Sequence, residues 1–269
     1  MMMKRILRAL FSLVVLLLII QACSIVPFTG RKQLSLVPES EMIAMGLASY
    51  QEFMKANPVS SDRTNGAIVK EVGTRLSSAV DYYFAANNLE SRLSGYQWEY
   101  SLVGSDVPNA FCLPGGKIVV YSGILPFTQD KNGLAVVISH EIAHAVARHG
   151  NEMMSQQLLL QFGGIALNEA VKNKPEETKN IYNAVYGIGS EVGVTLPNSR
   201  EFEYEADRLG LIFMALAGYN PQTAVTFWER MTLAGGSKPL EFLSTHPSDA
   251  RRIAKIKQEL PEALQFYKK

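Results

Sequence analysis

The 269 residues are 47% apolar and 19% charged, which is enough apolar side chain for a sizeable core in one or two domains and excludes a disordered or collagen-like chain. Lys and Arg number 26 against 25 Asp and Glu, and setting aside Lys4, Arg5 and Arg8 near the N-terminus tips the balance slightly acidic, so there is no electrostatic case for a nucleic-acid partner. Only Cys23 and Cys112 are present, which excludes a disulfide framework if Cys23 is modified.

Residues 1–22 read as an export signal: Lys4, Arg5 and Arg8, an uncharged run from Ala9 to Ile20, then "IQAC" ending at Cys23. The run falls short of the roughly 20 apolar residues a spanning helix needs. "LLIIQAC" resembles a bacterial lipobox, whose cysteine becomes the lipidated first residue of the mature chain. Ser24 behind it resembles the pattern of Gram-negative lipoproteins sent to the outer membrane. Residues 23–38, with two prolines and a glycine among mixed side chains, read as an extended membrane-proximal arm.

Helical periodicity then predicts elements over Glu39 to Asn57 and Asp62 to Tyr83. Strand composition marks "YQWEYSLV" (Tyr96 to Val103) and "KIVVYSG" (Lys117 to Gly123), and the turn signals "GSDVPN" and "LPGG" suggest a small antiparallel sheet. Everything downstream is helical in pattern: Gly133 to Gly150, Asn151 to Asn173, Glu176 to Val194, Ser199 to Ala217, Pro221 to Leu233 and Ser248 to Leu260. The expected fold class is therefore α+β and predominantly helical. Two apolar stretches, Leu158 to Leu167 and Ala184 to Leu196, read as packed core or a hairpin, with a lid or membrane contact as the alternative.

One helix carries chemistry. "VVISHEIAHAVARHGNE" places His140, Glu141 and His144 in an apolar pattern, where buried ionisable groups are costly unless something compensates them. At 3.6 residues per turn His140 and His144 lie about 40° apart on one face, so both imidazoles reach one ion. The H-E-x-x-H spacing is the one in which two histidines bind zinc and the glutamate beside it serves as general base. A catalytic zinc takes a third protein ligand and keeps one position open. His149 lies about 180° around the helix from His140 and so cannot turn to the same ion; it reads as a hydrogen-bonded or exposed helix-end residue near the negative dipole terminus.

The third ligand is sought in "NSREFEYEADRLG" (Asn198 to Gly210). Glu201 suits a capping role three residues after Asn198. Glu205 precedes Arg208 by three and reads as a solvent-facing ion pair. Glu203 and Asp207 share a face that Gly210 continues, leaving room for a close neighbouring helix. Glu203 is the expected ligand, and Asp207 the acceptor that orients the non-ligating nitrogen of His140 or His144.

"HEIAH", "SREFEYEAD" and "STHPSDARRI", in that order, resemble the gluzincin metallopeptidases of the HtpX and CAAX-prenyl-protease family, within it the lipoprotein and mitochondrial overlapping-activity protease branch. The likeness runs from "TGRKQL" at Thr29 through "NAFCLPGGKIVVYSG" to Ile256. It implies a zincin-like metallopeptidase domain over residues 39–269, one Zn2+ held by His140, His144 and Glu203, and Glu141 as general base. It also places His246 beside the zinc, either donating to the developing oxyanion or plugging the open position. The transmembrane helices of some members and the helical-repeat extension of others find no counterpart in this sequence, so substrate ideas transfer poorly.

The expected reaction is metal-assisted peptide hydrolysis. Asn109 and Ala110 begin a strand whose edge could pair with an extended substrate. The expected substrates are unfolded or misassembled envelope proteins, met at the periplasmic face of a bacterial envelope through the lipid anchor. A zinc-stabilised, non-proteolytic chaperone or assembly factor is the alternative; it needs no base at Glu141 and would close the fourth position.

Overall fold

In a computed structural model, residues 23–162, 175–186, 199–235 and 240–268 are described. Among them the elements run β1 (Cys23–Ile25), β2 (Lys32–Leu34), α1 (Glu39–Ala56), α2 (Arg63–Ala86), β3 (Glu99–Val103), β4 (Ala110–Leu113), β5 (Lys117–Tyr121), α3 (Leu125–Thr128), α4 (Lys131–Val146), α5 (His149–Phe162), α6 (Pro175–Tyr186), α7 (Arg200–Leu216), α8 (Thr223–Gly235), α9 (Glu241–Thr245) and α10 (Ala250–Leu264). The expected helical α+β class is what forms. The signal segment 1–22 and most of the two apolar stretches lie outside the described residues; of the first stretch, Leu158 is buried while Leu159 and Leu160 are exposed.

The centre of the fold is α4. Every residue from Gly133 to Val146 is buried, as expected for a helix that is apolar all round and lies in the core. Asp130 caps it by accepting from Gly133 N at 2.9 Å, and Gly133 is required there because a Cβ would meet Thr128 O at 1.9 Å. Around α4 pack α2, α7, α8 and the three-stranded sheet, so one cluster joins Val69, Leu76, Ile118, Val137, Ile212 and Trp228. Fully burying side chains of this size stabilises by about 1.5–3 kcal/mol each before entropy is counted, which makes α4 the most securely held element.

The sheet is mixed, not antiparallel. Its order is β3-β5-β4, with β4 antiparallel to β5 through Phe111 opposite Val119, and β3 parallel to β5 through Ser101 opposite Val119. The turn at Gly115 and Gly116 joins β4 to β5 as a hairpin, but β3 enters on the far side of β5 and so runs the same way. Strand composition reports pairing ability and leaves strand order open.

Residues 23–34 do not stay extended. Cys23, Ser24 and Ile25 pair antiparallel with Leu34, Gln33 and Lys32, forming a two-stranded hairpin folded against the body. Val26 is fully buried, and Gln33 Nε2 donates to Ala147 O at 2.9 Å at the end of α4. Val26, and in part Phe28, are placed more favourably on the core than in water, while Ile25 stays exposed.

Candidate active site

α4 and α7 meet closely at one glycine. A Cβ on Gly210 would lie 3.2 Å from Ser139 Oγ and 3.3 Å from His140 N, so the small residue lets α7 lie against the middle of α4. That approach brings Glu203 and Asp207 of α7 onto the histidines of α4. Ser199, accepting from Phe202 N at 3.2 Å, is the cap that starts α7. The cap expected three residues before Glu201 was Asn198, which lies outside the described residues.

His140 Nε2 lies 3.0 Å from His144 Nε2, 3.2 Å from His246 Nδ1 and 3.3 Å from Glu203 Oε2. Glu203 Oε1 is 3.3 Å from His144 Nε2 and 3.1 Å from His246 Nδ1. All four side chains are buried. His246 arrives from the corner between α9 and α10, where it caps the short α9; α10 begins at Ala250 behind its cap Asp249, two residues later than Pro247 and Ser248 suggested. Glu141 is buried behind them, its Oε1 3.4 Å from His246 Nε2 and without a hydrogen-bond partner.

Three imidazole nitrogens and a carboxylate pointing at one another are ill-matched as hydrogen-bond partners. They suit a shared cation. His140 Nδ1 lies 3.0 Å from Asp207 Oδ1 and donates to it, which turns Nε2 towards the shared centre as the nitrogen that would ligate. Glu203 Oε2 makes no aligned hydrogen bond, although Arg252 Nη1 approaches to 2.6 Å. Ligand atoms of His140, His144, Glu203 and His246 lie within 4.8 Å of one another. This N/O donor set fits a single zinc ion.

The electrostatics draw positive charge to the same centre. Burial pushes the His140 imidazole down, but Asp207 and Glu203 outweigh it and hold its pKa up at about 9. Burial likewise acts to raise Glu203, yet Arg252 and then His246 and His140 keep it well below the usual carboxylate range. Burial, followed by the charge on His140, drives His144 well below its ordinary value and leaves it a neutral lone-pair donor. Glu141 is raised by burial, opposed by His246 and His140, as suits a base that must take and later release a proton.

Sequence reasoning missed two supports. Arg252 on α10 is 2% exposed and grips Asp207 with two bonds, Nε to Oδ2 at 2.7 Å and Nη2 to Oδ1 at 2.9 Å. It also donates from Nη1 to the carbonyls of His246 and Pro247, and its guanidinium lies 3.6 Å from the centre of the Trp228 ring. No short-range spacing marks this arginine, because Asp207 is 45 residues away in sequence and its nearer acceptors are backbone carbonyls, which carry no residue signature. Glu205 is the second miss: it is 6% exposed and bonded to His149, Thr29 and Arg31, not paired in solvent with Arg208, which instead holds Glu262. His149 is hydrogen-bonded, as one of its two readings had it, but at the start of α5 and not at the end of α4. α4 ends at Val146, Arg148 turns the chain with φ of 62°, and His149 therefore opens α5 pointing inward, where the continuous helix assumed from sequence would have carried it outward.

A cavity of about 60 Å³ adjoins the cluster, lined by Glu141, His144 and His246 and, on its sheet side, by Asn109, Ala110 and Cys112. Burial pushes the Cys112 thiol well up, so it is a packing group and no competing nucleophile.

Residues 70–260 match Peptidase family M48. The chain belongs to that family. Among similar proteins, the mitochondrial metalloendopeptidase OMA1 of Schizosaccharomyces pombe is 41% identical over 178 residues, 64% of this chain and 50% of that protein. The human mitochondrial metalloendopeptidase OMA1 is 30% identical across 89% of this chain and 46% of its own length. The beta-barrel assembly-enhancing protease of Escherichia coli is 25% identical across 85% of this chain and 45% of its own. The chain thus spans about half the length of the curated relatives it matches. The resemblance read from the motifs holds at the level of the family; the mitochondrial relatives are the more similar, and neither the HtpX and CAAX-protease grouping nor the bacterial lipoprotein branch follows from them.

Proposed function

We propose that this M48 chain is a zinc-dependent endopeptidase of the bacterial envelope that cleaves unfolded or misassembled envelope proteins, held at the periplasmic face by a lipid on Cys23. The observation that carries the hydrolytic reading is the convergence of His140, His144 and Glu203 with an unpartnered Glu141 carboxylate beside them. His140, His144 and Glu203 would hold the ion. Zinc bound there supplies a Lewis acid that polarises a peptide carbonyl and makes water a nucleophile at neutral pH. Glu141 takes the proton from that water and returns it to the departing amine. Asp207, fixed by Arg252, holds the His140 ring in its ligating tautomer. Asn109 leads into β4 at Ala110, one of the two edge strands of the sheet, and an extended substrate laid along that strand would present its backbone to Glu141.

His246 stands in the coordination cluster, within reach of Glu203, His140 and Glu141 together. This favours the plug over the oxyanion donor. Displacement of the α9–α10 corner would then admit substrate, with His246 free to donate to the oxyanion in the open state. The envelope assignment rests on the lipobox-like "LLIIQAC" and is in keeping with the names of the bacterial relatives. Comparing envelope proteins that accumulate in cells expressing wild type or Glu141→Gln tests it. Specific retention of unfolded or misassembled outer-membrane proteins on the Gln variant supports the reading, and identical profiles count against it.

A further inference from the structure

The two histidines of α4 are braced differently. His140 gives its outer nitrogen to a carboxylate, Asp207, whereas the outer nitrogen of His144 meets another histidine: His144 Nδ1 lies 2.8 Å from His149 Nδ1. His149 is 1% exposed, and its other nitrogen, Nε2, lies 2.8 Å from Glu205 Oε2. A carboxylate only accepts, so Nε2 carries the His149 proton and Nδ1 offers a lone pair. His144 must then donate from Nδ1. That leaves its Nε2 bare and facing Glu203 and His140, the form in which an imidazole binds metal.

Glu205 is itself held by the N-terminal hairpin. Thr29 donates to Oε1 and Arg31 Nε donates to Oε2 at 2.9 Å, while Arg31 Nη1 reaches Glu152 at 2.8 Å. Phe202 lies between the layers, stacked on His149 at 4.6 Å and 5°, with the Arg31 guanidinium 4.9 Å from its centre. Gln33, on β2 of the same hairpin, ties down Ala147 at the end of α4.

We propose that His149 is the positioning residue for His144: through Glu205 it transmits the hold of the N-terminal hairpin to the metal site, fixing the ring and tautomer of one ligand from 23–34, a segment that touches no ligand itself. This rests on reading His144 as a ligand. Second-partner losses at metal histidines typically lower affinity about 10- to 100-fold, and the same scale is expected here.

The full chain, stripped of metal and titrated with Zn2+ against a chelator, tests the relay. His149→Phe keeps the stack on Phe202 but loses the acceptor, and should weaken zinc binding about 10- to 100-fold. His149→Asn, whose amide oxygen can take the place of Nδ1, should recover most of the loss, a rescue that a merely structural role would not give. Arg31→Met should weaken binding in the same direction by a smaller factor. In the metal-free wild type, imidazole 15N resonances should show His144 protonated at Nδ1, and in His149→Phe they should shift towards Nε2–H. Wild-type zinc affinity in His149→Phe, beside a clear loss in His144→Ala, overturns the relay and leaves the ligand reading standing. Unchanged affinity in His144→Ala overturns both. A wild-type His144 protonated at Nε2 overturns the relay whatever the affinities, and needs no variant to fold.

Discussion

At the scale of single residues, the proposed site separates groups that would hold an ion from a group that would move a proton. Glu141 contributes no atom to the close cluster, so Glu141→Gln should bind zinc stoichiometrically while cleavage of casein falls by about 10²- to 10⁴-fold, the usual contribution of a positioned base. A zinc-loaded variant with full activity would remove Glu141 from the mechanism. Glu203 and Asp207 are separable in the same way. Glu203→Ala loses a ligand atom and should bind zinc far more weakly, whereas Asp207→Ala loses only the acceptor at His140 Nδ1 and should weaken binding about 10- to 100-fold. Equal and small losses in the two would show that Glu203 is not a ligand. Residue identity was legible in the sequence where the partners share a helix, because periodicity alone puts His140 beside His144 and Glu203 beside Asp207. It failed at Glu205, where a three-residue spacing to Arg208 stood in for real partners 174 and 176 residues away, and at Arg252, whose acceptors lie on another helix.

Elements set how precisely those residues meet. A Cβ at Gly210 would already lie 3.2–3.3 Å from Ser139 and His140 of α4, so Gly210→Leu must push the helices apart. Overpacking of this kind costs about 1–3 kcal/mol, and because it separates Glu203 from His140 it should lower zinc affinity as well as the unfolding midpoint. Loss of stability with unchanged affinity would mean that the pairing of α7 with α4 does not set the site. The loop of His246 depends on α10 in a similar way. Asp249 accepts from Arg251 N and Arg252 N at 3.0 Å each, and these backbone bonds, aided by Arg200 and Arg251, hold its carboxyl below the usual value despite some burial. A carboxyl lowered on folding stabilises above its unfolded pKa of about 3.8 and loses that contribution as pH falls through the lower folded value. Asp249→Ala should therefore cost about 1 kcal/mol at pH 7 in the metal-free protein, and the difference from wild type in urea unfolding should shrink below about pH 3.8. A difference that persists unchanged at low pH would assign the effect to something other than the cap. Most element positions were legible from periodicity, but the break between α4 and α5 at Arg148 was not. The parallel run of β3 beside β5 was not, because strand order is decided by which edge the core leaves free.

At the scale of the molecule, one ion at the proposed site would join parts far apart in the chain. α4, α7 and the α9–α10 corner each supply donors to the cluster, so zinc bound to the folded state and not the unfolded chain must stabilise all three together. Chelation should lower the melting temperature of the wild type, and His144→Ala should abolish the difference between chelated and zinc-loaded samples. A melting temperature indifferent to chelator would deny the site a structural hold on the fold. Attachment to a membrane is a separate matter, because no described helix is long and apolar enough to cross one. If the lipid on Cys23 is the anchor, Cys23→Ala should move the protein from the detergent phase to the soluble periplasmic fraction. Cleavage should survive that change: Cys23 occupies one ladder position opposite Leu34, while the grip of the hairpin on the body comes from Thr29, Arg31, Gln33 and the buried Val26. Extraction that still requires detergent would place the anchor in residues 1–22 as an uncleaved segment. Release accompanied by loss of zinc would instead show that the first strand of the hairpin, and not its turn, carries the hold on Glu205.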